Sequence, residues 1–140
     1  MSLPHVLGTS LETIPAFDPP LEPSSRSRNK WRQRVESWPR KPRIGIVWAG
    51  NLDHPNNINR SLELSEFARL FDLDSVSFVS FQKDPDPEEM SSFVHRDRLL
   101  DLSPDLTDFA DTTAALEHVD LLISADTSIV HLAGSMGVEV

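Results

Sequence analysis

Cysteine is absent from the 140-residue chain. Its absence excludes disulfide bonds and thiolate zinc sites, and it is compatible with a reducing cytoplasm. No apolar run approaches the ~20 residues that a membrane-spanning helix needs, and no signal peptide is visible at the amino terminus. We therefore expect a cytoplasmic protein with no membrane span.

Several common catalytic and nucleotide-binding motifs are also missing. The sequence contains no Gly-x-Gly-x-x-Gly and no Walker motif, the fingerprints of nicotinamide and P-loop sites. It contains no Gly-x-Ser-x-Gly nucleophile elbow. No group of His, Asp and Glu has the spacing of metal ligands, so we expect neither a metal nor a bound cofactor.

Charges of both signs are present, but they are unevenly distributed. The net charge is −9, from 13 basic and 22 acidic residues, and eight of the basic residues lie between Arg26 and Arg43. This basic run could bind nucleic acid, but the acidic remainder would repel a polyanion. We expect no nucleic-acid partner and interpret the run as a solvated linker or a short helix.

Residues 1–42 have a different pattern from the rest of the chain. Five prolines among residues 1–25 indicate extended or loop structure. Residues 26–38 are compatible with a short helix whose apolar contacts are Trp31, Val35 and Trp38.

Apolar runs and helical patterns alternate from Arg43 onward. The apolar runs predict strands over residues 44–49, 76–81, 99–102 and 120–124. Between and after them we predict helices over 65–71 (capped by Ser65), 87–94, 111–118 (capped by Asp111) and 128–136 (ended by Gly137). The alternation predicts an α/β, Rossmann-like parallel sheet with strand order 3-2-1-4. Residues 138–140 look like a fifth strand cut short, which leaves the edge of strand 4 open to self-association.

The junction Asp126-Thr127-Ser128 separates the fourth strand from the last helix. Ligands bind at such junctions in parallel sheets, and the free N–H groups of the helix favour an anion such as phosphate. His131 lies in the first turn and should overhang the same site, although it could be a structural histidine. Asp126 is either a helix N-cap or an acceptor for sugar hydroxyls.

Polar residues also follow the first and second strands. Gly50 and Asn51 come after the first strand, where Gly50 permits close approach to a phosphate or simply forms a turn. Arg60 ends the same loop and could clamp a phosphate or lie exposed on the surface. Gln82 and Lys83 end the second strand, where the base or ribose of a nucleotide often lies, although a lone lysine there is usually solvated.

These stretches together resemble the ADP-heptose–lipopolysaccharide heptosyltransferase family. Residues 126–137 resemble its Asp-[Ser/Thr]-x-x-x-His-Leu-Ala-x-x-x-Gly signature. They resemble still more closely the glycosyltransferase-like regions that follow tetratricopeptide repeats in bacterial proteins. Supporting stretches are 44–51 with 59–61, 78–84, 108–112 and 2–15, the last resembling the segment that joins the family's two domains.

The resemblance implies a truncated carboxyl-terminal half of a GT-B fold. Residues 1–42 would be the interdomain linker and the end of the acceptor domain, and residues 43–140 part of the domain that binds the nucleotide-sugar donor. The donor would be UDP-, GDP- or ADP-linked, and the acceptor a glycan, lipid or protein. The parent protein would carry tetratricopeptide repeats on the amino-terminal side.

The resemblance also implies roles for the candidate residues. Thr127, Ser128 and His131 would hold the diphosphate, and Asn51 and Arg60 would close over it. In addition, the nucleoside would lie near Gln82 and Lys83, and the transferred sugar or the phosphates near Asp126.

Charge stabilisation by such groups would replace a metal ion in glycosyl transfer. The general base would belong to the acceptor domain, so this fragment should be inactive by itself. An alternative is a catalytically inactive interaction module with a vestigial nucleotide site. Another is a different Rossmann-like enzyme such as an epimerase, although the missing glycine motif argues against a nicotinamide cofactor.

Overall fold

The computed structural model of the chain describes residues 3–14, 21–38, 42–51 and 54–140. The strands are β1 (Arg43–Val47), β2 (Ser77–Ser80), β3 (Leu99–Asp101) and β4 (Leu121–Ser124). The α-helices are α1 (Leu3–Val6), α2 (Ser25–Val35), α3 (Pro87–Ser92), α4 (Phe109–Leu116) and α5 (Ser128–Met136). Segments of 3₁₀-helix span Leu11–Thr13, Asn57–Asn59, Leu64–Asp72 and Arg96–Arg98.

The four strands form one parallel sheet in the order β3-β2-β1-β4, which confirms the predicted α/β topology. Ile44 of β1 lies opposite Phe78 on one side and Leu121 on the other. Because β1 is central and apolar on both faces, it reads as a continuous hydrophobic run rather than an alternating one.

Two apolar cores cover the faces of this sheet. Successive side chains of a strand point to opposite faces, and Ile46 and Val47 accordingly belong to different cores. One core includes α4, α5 and the buried Trp31 of α2, and the other includes the Leu64–Asp72 segment. Within the described ranges, no helix is long and apolar enough to cross a membrane.

Helix α2 packs against the domain, so the short-helix interpretation of the basic run is confirmed for residues 25–35 and the solvated linker is wrong there. Ser24 caps the helix, its hydroxyl accepting from the N–H of Ser27 at 3.2 Å. Three of its basic side chains pair with acids of the domain, in the pairs Arg28–Glu117 (2.7 Å), Lys30–Asp111 (2.7 Å) and Arg34–Asp105 (2.6 Å). These three side chains of the basic run therefore neutralise acidic side chains of their own chain.

Two predicted helix starts are wrong. The segment Leu64–Asp72 begins after Glu63, not at Ser65, because the Glu63 N–H donates to the Glu66 carboxylate at 3.0 Å. It is also 3₁₀-helical rather than α-helical. The N–H of its first residue, Leu64, donates to Glu89 on α3 at 2.7 Å, so a tertiary bond satisfies this terminus.

The other error concerns helix α4, which begins after Asp108 and not at Asp111. The Asp108 carboxylate accepts from the N–H of Asp111 at 2.8 Å and caps the helix. Asp111 is instead buried in the first turn, with 5% of its surface exposed. Two acids three residues apart can each supply a cap, and the burial of Asp111 decides between them.

The predicted end of the last helix is confirmed. Gly137 takes the left-handed conformation (φ 76°), which glycine adopts without steric cost. Beyond it, the carbonyl of Glu139 accepts from the N–H of Leu122 in β4 at 2.9 Å. Residue 139 thus lies beside the outer edge of β4, where the fifth strand was predicted, and self-association through this edge stays a prediction.

Candidate functional site

The carboxyl end of β4 leads directly into the amino terminus of α5. Thr127, not Asp126, is the N-cap residue, and its side chain makes no capping hydrogen bond to the first turn. Its hydroxyl lies 3.3 Å from that of Ser124 instead. The amino terminus of α5 therefore keeps N–H groups and a positive dipole end that can bind an anion.

Arg60 reaches this junction from the loop after β1. Its guanidinium donates from Nε (3.1 Å) and from Nη2 to the main-chain carbonyl of Asp126, and Nε lies 3.6 Å from the Asp126 carboxylate. His131 Nε2 lies 3.9 Å from the same carboxylate. The structure thus brings together three of the predicted residues, with Arg60 half-buried and Asp126 and His131 exposed.

The loop after β1 is fixed by contacts around Gly50. The Gly50 N–H donates to the Ser61 hydroxyl at 3.1 Å, and that hydroxyl donates to Asn57 Oδ1 at 2.9 Å. A Cβ on Gly50 would lie 3.0 Å from the same Asn57 oxygen. Gly50 therefore permits close packing within the loop, and Asn51 follows it as an exposed residue.

Gln82 is buried, and its amide braces the end of β1. Its oxygen accepts from the N–H groups of Trp48 (3.1 Å) and Ala49 (2.9 Å). Its nitrogen donates to the carbonyls of Ala49 (3.0 Å) and Lys83 (3.2 Å). The structure gives Gln82 a supporting role for the loop that carries Arg60, and sequence offered no signal that its side chain turns inward.

Lys83 lies at a cavity of about 220 Å³ that also contacts the start of α5. Its wall includes Ser128 of α5, so the structure brings these two predicted residues to one space. The other lining residues are Phe81, Leu106, Thr107, Asp108, Phe109, Thr112 and Ile129. Phe81 is fully buried, whereas Phe109 is 60% exposed.

Sequence reasoning missed the contribution of Thr107, Phe109 and Thr112 to this cavity. The only signal was the stretch 108–112, which contributed to the family resemblance without assigning roles. The turn before α4 is held by Asp111, whose carboxylate accepts from the N–H of Thr107 at 3.3 Å and from its hydroxyl. The hydrogen bonds to Asp111 therefore fix the turn that forms one side of the 220 Å³ cavity.

The surroundings of Asp111 keep its carboxylate in the ionised form. Burial acts to raise its pKa, but hydrogen bonds from Lys30, Thr107 and Trp31 outweigh burial and lower the pKa to about 2. Lys30 Nζ lies 2.7 Å from Oδ1 and 2.8 Å from Oδ2, and Trp31 Nε1 donates to Oδ1 at 3.0 Å.

A larger cavity, of about 930 Å³, lies between the Leu64–Asp72 segment and α3. Its described lining residues include five acids and no base; the acids are Glu63, Asp84, Asp86, Glu88 and Glu89. This charge disfavours a phosphate, so size alone does not identify the anion site. Across the described ranges, no group of three or more His, Cys, Asp or Glu residues could hold a metal ion.

Comparison with known proteins gives one informative likeness. No protein-family model matches the chain, and no curated protein matches it. The chain is similar to the solved structure of E. coli ADP-heptose lps heptosyltransferase II, with a TM-score of 0.60 and 14% sequence identity. The match covers 84% of this chain and 37% of that chain, so the chain spans little more than a third of its structural neighbour. The fold is that of part of a GT-B glycosyltransferase-like protein.

Proposed function

We propose that this chain forms the donor side of a glycosyltransferase and binds the diphosphate of a nucleotide sugar. The observation that carries the proposal is the meeting of Arg60 with the amino terminus of α5, fixed by the bonds to the Asp126 carbonyl. A guanidinium and uncapped helix N–H groups are both well suited to phosphate oxygens. The GT-B glycosyltransferase-like fold supports this assignment.

Three groups would act on the departing diphosphate. The α5 amino terminus, Arg60 and His131 would donate hydrogen bonds to the oxygens on which negative charge develops as the sugar–phosphate bond breaks. Asp126 carries the opposite charge, which suits it to accept hydrogen bonds from sugar hydroxyls rather than to touch the phosphates.

The 220 Å³ cavity would receive the nucleoside next to the diphosphate. Ser128 belongs both to this cavity and to the first turn of α5, so the cavity adjoins the anion site. The exposed ring of Phe109 could stack on a base, a contact worth about 1–3 kcal/mol. Lys83 would reach the ribose or phosphate, and UDP, GDP and ADP all remain candidates.

Transfer itself requires groups that the proposed donor side does not supply. The general base that activates the acceptor hydroxyl would belong to the acceptor domain, so we assign no catalytic residue within this chain. The glycan, lipid or protein acceptor, the tetratricopeptide repeats of a bacterial parent and a cytoplasmic location stay predictions.

Calorimetric titration with UDP, GDP and ADP tests the proposal. We expect saturable binding of at least one nucleotide by this chain, weakened in both Arg60→Ala and His131→Ala. The matched controls are Arg69→Ala and His5→Ala, which alter exposed side chains in the Leu64–Asp72 segment and in α1. If the unaltered chain binds none of the three nucleotides, or if both site variants bind as the controls do, the proposal is wrong.

The alternative is an inactive interaction module, and one observation favours it. Large apolar side chains are exposed along residues 3–14: Leu3 (75%), Val6 (62%), Leu7 (74%), Leu11 (85%) and Ile14 (60%). Exposed large apolar side chains can mark a protein contact. The titration separates the two functions, because a module with a vestigial site would bind no nucleotide.

A further inference from the structure

We propose that Lys30, on helix α2, positions one wall of the 220 Å³ donor cavity through the buried carboxylate of Asp111. This inference rests on the proposed function, because it concerns how the nucleoside end of the donor site is shaped. Lys30 would be a positioning residue, since it lies outside the lining of the cavity.

The wall in question is the turn that leads into α4. Thr107, Asp108 and Phe109 follow one another along it, and all three line the cavity. Both the main-chain N–H and the hydroxyl of Thr107 donate to Oδ2 of Asp111. The carboxylate of Asp111 therefore holds Thr107, the first of these three residues, although Asp111 does not itself line the cavity.

Asp111 depends in turn on Lys30. The side chain of Asp111 is 7% exposed and that of Lys30 is 51% exposed. Lys30 Nζ donates to both carboxylate oxygens, at 2.7 and 2.8 Å. Asp111 is the buried member of this pair, so removing Lys30 leaves a buried negative charge without its cationic partner. Without Lys30, the donors that the described residues still offer to the carboxylate are Trp31 and Thr107, which are both neutral.

Helix α2 provides an internal comparison for this link. Arg28 lies on the same helix and pairs with Glu117, the C-cap residue of α4, at 2.7 Å. Glu117 does not line the cavity. The two pairs thus join the same two helices, and only the Lys30 pair leads to the cavity wall.

The test compares Lys30→Met with Arg28→Met in the 140-residue chain. Each variant keeps an aliphatic stem and removes one ion pair between α2 and α4, and Arg28→Met also removes the pair of Arg28 with Glu22 (3.3 Å). Calorimetry would measure the affinity for UDP, GDP and ADP, and separately for inorganic pyrophosphate, which reports on the α5 site alone. We expect Lys30→Met to lower the affinity for the nucleotide by about tenfold and to leave the affinity for pyrophosphate unchanged. Arg28→Met should leave both affinities unchanged, and Lys30→Arg should retain nucleotide binding.

Two results would overturn the positioning role. Lys30→Met could lower nucleotide and pyrophosphate affinity equally, which would indicate a general loss of stability, or it could match Arg28→Met. Hydrogen exchange at the Thr107 amide gives a readout that needs no ligand: we expect faster exchange in Lys30→Met than in Arg28→Met. If the unaltered chain binds no nucleotide, the proposed function fails; the exchange rate then still decides whether Lys30 orders this wall, and equal rates refute it.

Discussion

Arg60 holds Asp126 by its main-chain carbonyl, across 66 positions of sequence. Both Nε and Nη2 of the guanidinium donate to that one oxygen. The loop after β1 is thereby tied to the residue that precedes the α5 N-cap. The positive group of the candidate site is placed by a bond to backbone, so it does not depend on a particular rotamer of the exposed Asp126 side chain.

We predict that Arg60→Lys weakens nucleotide binding nearly as much as Arg60→Ala. Lysine keeps the charge but lacks the planar fork that reaches the Asp126 carbonyl from two nitrogens. Calorimetric titration of both variants with the nucleotide that binds best gives the comparison. Arg69→Lys is the control, and full affinity in Arg60→Lys would show that charge alone suffices.

The lowered pKa of Asp111 predicts that the protein loses stability in acid. Its pKa in the folded protein is about 2, below the ordinary value of 3.8, so its ionised form stabilises the fold. This stabilisation is complete above about pH 4 and is lost as the pH falls through the folded pKa. Urea unfolding at pH 5 and pH 2.5 should show a smaller loss of stability with acid in Asp111→Asn than in the unaltered chain. An equal loss in both would mean that Asp111 is not ionised as described.

The burial of Trp31 predicts that helix α2 contributes to the stability of the domain. Its side chain is fully buried, and replacing it by alanine should cost about 3–5 kcal/mol of unfolding free energy. Leu11→Ala is the control, because Leu11 is 85% exposed and should change the stability by less than about 0.5 kcal/mol. Chemical denaturation of both variants checks the difference. Equal stabilities would mean that α2 does not contribute to the core.

Replacing two glycines by alanine should change the stability of the protein in opposite directions. Gly50→Ala places a methyl group 3.0 Å from Asn57 Oδ1 and should destabilise the loop after β1 by about 1 kcal/mol. Gly134→Ala lies within α5 with nothing inside 4 Å, so it should stabilise by about 0.5–1 kcal/mol. Thermal unfolding would reveal the two shifts in Tm. A stabilising Gly50→Ala would show that the Asn57–Ser61 contact can yield without cost.

The sequence was sufficient for the sheet order because each strand is a distinct apolar run separated by helical patterns. It also placed Arg60 near Asp126, since both follow strands that are neighbours in the order 3-2-1-4. The division at residue 42 and the ligand contacts stay predictions.

The sequence did not predict the orientation of side chains that is set by contacts with residues far away in the chain. Asp108 and Asp111 are equally good caps by type, and only the contact of Asp111 with α2 separates them. Gln82 turns inward because the N–H groups at the end of β1 need an acceptor. Such choices depend on tertiary contacts between residues far apart in sequence, which local propensity does not encode.

The packing of α2 also bears on the order of folding. Trp31 meets Asp111 across 80 positions, so during synthesis this indole emerges long before the helix that buries it. Closing so long a loop is slow compared with forming local turns. If this contact forms after the rate-limiting step, weakening it will mainly speed unfolding and leave the folding rate little changed. Helix α2 would then pack onto a sheet that has already formed, and the strength of its packing would set the unfolding rate and so the lifetime of the native state.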